Sequence, residues 1–145
     1  MKAVIQRVKS ASVTIDNKVH SSIGAGMLVL FCVEKGDTTD KLDWFADKIF
    51  SLRIFEDENG KMNKSVLDTG REILVVSQFT LAADCKKGTR PSFDNAEKPE
   101  IAKNIYEKFV EKLKSSNLHI KTGVFAAMMD VSLINDGPVT FILNK

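Results

Sequence analysis

The sequence predicts an α/β fold in which mixed sheets pack with two main helices in a single domain. Strand-like patterns occupy both ends of the chain, and two stretches with helical spacing lie between them. The 145 residues match the common size of one domain that buries a sizeable core. Since the sequence contains no repeat, low-complexity segment or linker, we expect one domain over residues 1–145.

Residues 2–33 have the alternation of apolar and polar side chains that is typical of strands. The pattern predicts strands over residues 1–10, 11–15, 19–23 and 27–33. Turn-forming residues at positions 16–18 separate the second of these from the third. We therefore expect an antiparallel meander at this end of the chain. The last stretch is an unbroken apolar run, which is typical of a strand covered on both faces.

The middle of the chain contains the two helix patterns. Apolar residues spaced by three and four predict a helix over residues 42–50, with capping side chains at positions 37–39. A second helix is expected from Pro99 through Leu113, because proline fits the first helical turn and apolar residues line one face.

The remaining segments are predicted to be short strands and one long loop. Strands are expected over residues 53–55, 72–76, 118–122, 131–134 and 139–143, whereas residues 82–98 are rich in loop-forming residues. A long loop in a compact domain often carries function.

Composition and charge exclude several classes of protein. Hydrophobic residues make up 43% and charged residues 28%, which argues against a disordered or fibrous chain. The net charge of +2 does not by itself identify a nucleic-acid binder, so any RNA contact needs a local basic patch. The N-terminus lacks a signal-peptide core and no stretch is long enough to span a bilayer. We expect a soluble cytoplasmic protein without membrane attachment, with Cys32 and Cys85 as free thiols.

The usual catalytic side chains are nearly absent. His20 and His119 are the only histidines, and neither has a carboxylate or cysteine signature nearby. There is no glycine-rich phosphate loop and no set of metal ligands, so we expect neither a metal nor a cofactor. A catalytic site assembled from distant residues stays open.

Two segments carry polar groups that local structure alone does not explain. Ser77-Gln78-Phe79-Thr80-Leu81 follows the strand over residues 72–76, at the end where α/β sheets bind ligands. Its hydroxyl and N–H groups are suited to an oxyanion, although a strand end with a satisfied backbone is the simpler interpretation. Asn135-Asp136-Gly137-Pro138-Val139-Thr140 is predicted to be a turn, in which a cis bond before Pro138 would aim the Gly137 carbonyl.

Together these two segments resemble the paired signature of the D-aminoacyl-tRNA deacylases. Six further stretches are similar to that family's sequences in the same order, so the resemblance covers essentially the whole chain. These stretches are residues 6–8, 11–13, 33–37, 52–55, 60–63 and 90–93.

The resemblance implies a homodimer with a β/β/α layered fold and active sites at the dimer interface. The expected activity is hydrolysis of the ester that joins a D-amino acid, or glycine, to the terminal adenosine of tRNA. Ser77, Phe79 and Thr80 would be the catalytic residues of the pocket, with Gln78 beside the substrate and Met129 against the adenine.

The resemblance also implies a source of chiral selectivity. Gly137 and Pro138 of the partner subunit, held by Arg7, would form a cis element that excludes L-amino acids by steric clash. Glycine has no side chain and would pass the same filter.

Two mechanisms are compatible with this site. Thr80 would act as a nucleophile, but the sequence shows no nearby base to activate it. Alternatively, the 2′-hydroxyl of the substrate and a positioned water would hydrolyse the ester, while the protein orients it and stabilises the oxyanion. We favour this second, RNA-assisted mechanism because an aminoacyl ester is already activated.

One local basic cluster lies near the proposed pocket. Lys86, Lys87 and Arg90 are suited to the phosphates of the acceptor end, whereas a solvated loop is the simpler interpretation. The chain departs from the family pattern at positions that affect the pocket rim and the tRNA contacts. These are Ala82, Cys85, Thr89, Ala126 and Met128.

Two other functions are compatible with the sequence. One is a non-catalytic module that binds tRNA ends, since a fold does not fix a function. The other is a general esterase with Thr80 as the nucleophile. Catalytic turnover distinguishes the first from a deacylase, and selectivity for charged tRNA distinguishes the second.

Overall fold

The computed structural model describes residues 1–145 and confirms the α/β class. Eight strands, three α-helices and two 3₁₀ turns follow one another along the chain. The strands are β1 (Lys2–Ile15), β2 (Lys18–Ile23), β3 (Gly26–Cys32), β4 (Phe55–Glu56), β5 (Met62–Lys64), β6 (Glu72–Ser77), β7 (Ile120–Thr122) and β8 (Asp130–Asn144). The helices are α1 (Leu42–Ser51), α2 (Val66–Thr69) and α3 (Pro99–Lys114), and the 3₁₀ turns are Thr39–Lys41 and Phe79–Ala82.

β1 is the strand to which most of the sheet is attached. Along one edge it pairs antiparallel with β8, and along the other its first half pairs with β3 and its second half with β2. The predicted meander is therefore wrong, because β2 and β3 both pair with β1 and not with each other. The predicted division into strands over residues 1–10 and 11–15 is also wrong. The exposed Lys9 and Ser10 lie within one continuous strand, at a register shift in its pairing with β8.

The middle of the sheet is parallel. β3 pairs with β6, and β6 with β7, in parallel, so the sheet is mixed as predicted. One face of β3 and β6 packs against α1 and α3 and forms the larger core. Phe31 lies at its centre, with its ring centroid 5.5 Å from that of Phe45 in α1 and 4.0 Å from that of Phe109 in α3.

A second core lies on the opposite face of β3 and β6. There the side chains of these two strands pack against the second half of β1 and against β2, which form a further β layer. A hydrogen bond from Ser21 Oγ to the Thr122 carbonyl oxygen (2.8 Å) joins this layer to β7. The layers follow the order β/β/α. The buried residues of this core are Val8, Ala11, Val13, Ile23, Leu28, Leu74 and Val76.

β8 replaces two predicted strands and the turn between them. The segment Asn135–Pro138 lies inside this strand, so the predicted turn is wrong. The Asn135 side chain donates hydrogen bonds to the carbonyl oxygens of Arg7 and Val139, both at 3.0 Å, where the pairing with β1 shifts register. Turn-forming residues thus produce an irregularity in a long strand and not a reversal of the chain. The Gly137-Pro138 peptide bond is cis.

The helices begin close to the predicted positions. α3 starts at Pro99 as expected. The predicted capping of α1 by residues 37–39 is wrong, because a 3₁₀ turn precedes the helix and Thr38 makes no side-chain cap bond. The Asp37 carboxylate instead pairs with Lys41 at 2.7 Å and with the amino group of Met1. None of the helices combines the length and the apolar character that crossing a membrane requires.

The short elements differ from the prediction by a few residues. The strand expected over residues 53–55 lies at Phe55–Glu56 and pairs with Met62–Lys64. The strand expected over residues 118–122 is limited to Ile120–Thr122. Residues 83–98 form the expected long loop, without a helix or a strand.

The close approach of β3 and β6 gives a test of the parallel pairing. A Cβ added to Gly26 would lie 2.0 Å from the Glu72 carbonyl oxygen, whereas one added to Gly24 would lie 3.4 Å from a flexible carboxylate. We expect Gly26→Ala to lower the free energy of unfolding by about 3 kcal/mol, because backbone must move. Gly24→Ala, the matched control, should cost less than about 1 kcal/mol. Urea unfolding measures both, and equal losses would contradict the register.

Candidate active site

The candidate site lies where the parallel strands β3, β6 and β7 end together. β6 ends at Ser77, and the Gln78 N–H continues the ladder by donating to the Phe31 carbonyl oxygen at 2.8 Å. The chain then leaves the sheet in the 3₁₀ turn Phe79–Ala82, which we call the site turn. Because β3, β6 and β7 run in the same direction, their carboxyl ends form one edge, the usual place for a ligand in an α/β sheet.

The site turn exposes both hydrogen-bond donors and an aromatic ring. Its internal bonds run from the Leu81 N–H to the Gln78 carbonyl oxygen and from the Ala83 N–H to the Thr80 carbonyl oxygen. The N–H groups of Phe79 and Thr80 donate to no protein acceptor, as expected at the start of a helical turn. Both side chains are exposed. Two adjacent free donors of this kind are suited to a developing oxyanion.

The hydroxyl of Thr80 contacts an amide and not a base. Gln78 Nε2 donates a hydrogen bond to Thr80 Oγ1. Both histidines lie elsewhere, since His20 is on β2 and His119 Nε2 is 3.8 Å from Glu72 Oε1 at the opposite end of β6. No imidazole is therefore placed to take a proton from Thr80.

Three side chains support the site turn from beneath. Lys2 Nζ donates a hydrogen bond to the Leu81 carbonyl oxygen at 3.3 Å and forms a salt bridge with Glu34 at 2.8 Å. The hydrogen bond to Glu34 raises the pKa of Lys2. The buried thiol of Cys32 lies 3.6 Å from the Phe79 carbonyl oxygen. Burial raises the pKa of this thiol to about 11. These supporting contacts were not predictable from sequence patterns, because they join β1 and β3 to a turn far along the chain.

Met129 lies beside the same strand ends. Its sulfur accepts a hydrogen bond from the Val124 N–H at 3.4 Å, and it packs against the second core near Val76. A Cβ on Gly123 would lie 2.7 Å from this sulfur, so a larger residue there would require the Met129 side chain to shift. Met129 is thus held near Val76, next to the end of β6.

Arg7 organises a separate region around Gly137 and Pro138. This buried guanidinium donates to the Asp136 carbonyl oxygen at 3.1 Å and to the Ile54 carbonyl oxygen at 2.8 Å, and it lies 3.4 Å from a Glu56 carboxylate oxygen. Arg7 thus contacts the residue that precedes Gly137, and its role in holding the Gly137-Pro138 element stays a prediction.

Within one chain, the predicted site residues form two groups that lie apart. Through the sheet register, Ser77 is level with Leu143 of β8, whereas Arg7 is level with Ile73 near the start of β6. Standard strand spacings separate Gly137 from Ser77 by about 20 Å along the strands and about 14 Å across them. The structure therefore brings Ser77, Gln78, Phe79, Thr80 and Met129 together, but not with Arg7, Gly137 and Pro138.

The predicted basic cluster lies on an exposed loop next to the site turn. Asp84 and Ser92 exchange backbone hydrogen bonds of 2.8 and 2.9 Å, which close the base of this loop. Lys86, Lys87 and Arg90 are exposed between them and belong to no salt bridge within the chain.

Phe93 follows this loop directly, and its ring lies 5.1 Å from that of Phe79. No functional role was predicted for Phe93, although an aromatic residue in a polar loop is a usable signal in the sequence.

Comparisons with known proteins decide the family. A family model described as D-Tyr-tRNA(Tyr) deacylase matches residues 4–144. A D-aminoacyl-tRNA deacylase of Aquifex aeolicus is 57% identical over 145 residues, covering 100% of this chain and 98% of the relative. One from Desulfitobacterium hafniense (strain DSM 10664 / DCB-2) is 55% identical, covering 100% of this chain and 97% of the relative. The chain belongs to the D-aminoacyl-tRNA deacylase family. The predicted membership of the family, and with it the assignment as a hydrolase, are confirmed.

Two solved structures have the same fold as this deacylase family member. A c-Myc DNA unwinding element binding protein superposes with a TM-score of 0.95 at 47% identity, covering 100% of this chain and 99% of that one. A probable eukaryotic D-amino acid tRNA deacylase superposes with a TM-score of 0.81 at 15% identity, covering 98% and 97%. The second similarity supports the fold alone.

The environments of the two cysteines predict different reactivities in this deacylase family member. Cys32 is 1% exposed with a raised pKa, whereas Cys85 is exposed. Since the thiolate is the reactive form, we expect Ellman's reagent at pH 8 to modify one thiol of the native protein rapidly and the second only after denaturation. Cys85→Ser should abolish the rapid phase, and two rapid thiols in the native protein would contradict the buried position of Cys32.

Proposed function

We propose that this protein hydrolyses the ester between a D-amino acid, or glycine, and the terminal adenosine of tRNA, acting in the cytoplasm on charged tRNA. The observation that carries the proposal is the full-length match to the deacylase family, including both signature segments. The site geometry agrees with it, because two free N–H groups and the exposed ring of Phe79 lie at one sheet edge, near Met129.

The terminal adenosine would lie against Met129, with the aminoacyl ester over the site turn. The ester carbonyl oxygen gains negative charge as water adds, and the N–H groups of Phe79 and Thr80 are oriented before the reaction begins. Donors fixed in this way stabilise an oxyanion without reorganising, which is usually a large contribution to catalysis. Ser77 and Gln78 would complete the pocket, with Gln78 holding Thr80.

The hydrolysis itself would use the 2′-hydroxyl of the adenosine and a positioned water. Thr80 is the alternative nucleophile, but its hydroxyl contacts an amide that cannot accept a proton. An aminoacyl ester needs little activation, so orientation and oxyanion stabilisation account for the rate without a protein base.

A homodimer would complete the site. β8 is an edge strand of 15 residues that pairs only with β1, and a long open edge of this kind is normally covered. An apolar row crosses four strands, from an exposed residue of β8 to the buried end of β6. Its members are Ile142, Val4, Leu30 and Val76. A second copy on this face would bury the row and reach the edge that contains Ser77.

The partner subunit would supply the chiral filter. One chain keeps its own Gly137 and Pro138 far from its site turn, so contact between them requires a second chain. The Gly137 carbonyl would then occupy the direction of an L side chain, while a D side chain or the hydrogen of glycine points away. Selectivity by clash needs no pocket for the accepted side chain, so many D-amino acids would be accepted.

The exposed basic loop would contact the RNA. Lys86, Lys87 and Arg90 lie beside the site turn without an acidic partner, which leaves their charges available for phosphates of the acceptor end.

Release of free amino acid from matched D- and L-tyrosyl-tRNA by catalytic amounts of protein tests the function. We expect the D ester to be cleaved at least about 100-fold faster, because the clash acts on the L side chain alone. Comparable cleavage of both would indicate a general esterase. Stoichiometric protection of the ester without turnover would indicate a binding module and overturn the proposal.

Substitution of Thr80 tests the mechanism. We expect Thr80→Ala to lower kcat by less than about ten-fold, because the N–H donors are unaffected. Loss of a true nucleophile costs about 10⁴-fold or more. Thr80→Ser is the matched control that keeps a hydroxyl. If Thr80→Ser is active while Thr80→Ala loses nearly all turnover at unchanged KM, Thr80 is the nucleophile.

A charge on the apolar row tests the dimer. Ile142 is 73% exposed in the single chain, so Ile142→Asp should fold but place two buried charges in a symmetric interface. We expect sedimentation to show a monomer, with loss of deacylation. Val19→Asp is the matched control, because Val19 is 67% exposed on β2, away from this row. A fully active monomer would contradict the shared site.

A further inference from the structure

Phe93, at the end of the loop, forms an exposed aromatic pair with Phe79 of the site turn. Phe79 is 58% exposed and Phe93 is 40% exposed, and their rings are tilted by 59° with centroids 5.1 Å apart. A base inserted between two rings needs about 7 Å, twice the stacking distance of roughly 3.4 Å. The gap is therefore closed to a base, and the outer face of Phe93 stays available for stacking.

The same loop concentrates positive charge next to that ring. Residues 85–91 contain three basic residues and no acidic one. The backbone bonds between Asp84 and Ser92 close the loop at its base, so Lys86, Lys87 and Arg90 project from a point one residue before Phe93. Exposed aromatic rings combined with unpaired cations are the features with which proteins bind single-stranded nucleic acid.

We propose that Phe93 is a stacking site for the nucleobase that precedes the terminal adenosine of the substrate, with the neighbouring cations on the phosphates. This inference rests on the proposed function, which puts the terminal adenosine beside Met129 and the site turn. The unpaired acceptor end then leaves the pocket past Phe79, and its next base is the first group to meet Phe93. Stacking tolerates any base, so the site would select for single-stranded RNA and not for one tRNA.

Substrates of increasing length separate this site from the catalytic pocket. D-tyrosyl esters of adenosine, of the dinucleotide CpA and of whole tRNA would be compared on the wild type, Phe93→Leu and Phe93→Tyr. Phe93→Leu should raise KM about ten-fold for the CpA ester and for tRNA, with kcat and the KM of the adenosine ester unchanged. Phe93→Tyr keeps the ring and should resemble the wild type.

Calorimetric titration with unesterified CpA and adenosine gives a second readout that needs no catalysis. The wild type should bind CpA more tightly than adenosine, and Phe93→Leu should remove that difference. The proposal is overturned if Phe93→Leu weakens adenosine and CpA equally, or changes neither. It is also overturned if sedimentation shows that Phe93→Leu dissociates a dimer, because the ring would then lie in the subunit interface. Loss of the proposed deacylation would instead appear as no turnover of any ester by the wild type.

Discussion

The pairing of β1 along both of its edges is the constraint on which the structure depends. One long strand joins β8 on one side to β3 and β2 on the other, so the two β layers share a continuous backbone. β1 passes from one layer to the other near Val8, where its register with β8 is irregular. There the Asn135 side chain donates a hydrogen bond to the Arg7 carbonyl oxygen. Arg7 lies there, buried and bonded to two carbonyl oxygens, which fixes the Gly137 region to the rest of the fold.

This topology also divides the functional residues. Parallel strands β3, β6 and β7 must end at one edge, which brings the site turn and Met129 together. β8 runs antiparallel to β1, and its irregular segment falls near the opposite end of β6. No small rearrangement of one chain can join two groups separated by a rigid sheet. In the proposed function, a site that needs both groups would be built from two copies of the chain, and its selectivity would depend on assembly.

The sequence predicted the helices and buried strands well, because the spacing of their apolar residues follows from which face is buried. The runs that became β3, β6, α1 and α3 each face a core, and their positions were correct to within a few residues. The errors fall where local preference opposes tertiary pairing. Residues 1–10 and 11–15 were predicted as separate strands and Asn135–Pro138 as a turn, but pairing between β1 and β8 keeps each segment within one long strand. The site turn was predictable as a polar strand end, whereas the Lys2 and Cys32 contacts beneath it depend on distant strands.

The site turn offers free N–H donors and few titratable side chains, so the proposed hydrolysis would depend mainly on how the substrate is positioned. Fixed N–H donors on the site turn assist only a carbonyl that reaches them, so rate and selectivity depend on the same positioning. In the proposed function, excluding one enantiomer by steric clash would lower its rate of hydrolysis without a second chemical step. A pocket with few reactive side chains and a strict steric requirement would suit an enzyme that must leave the abundant L-aminoacyl-tRNA intact.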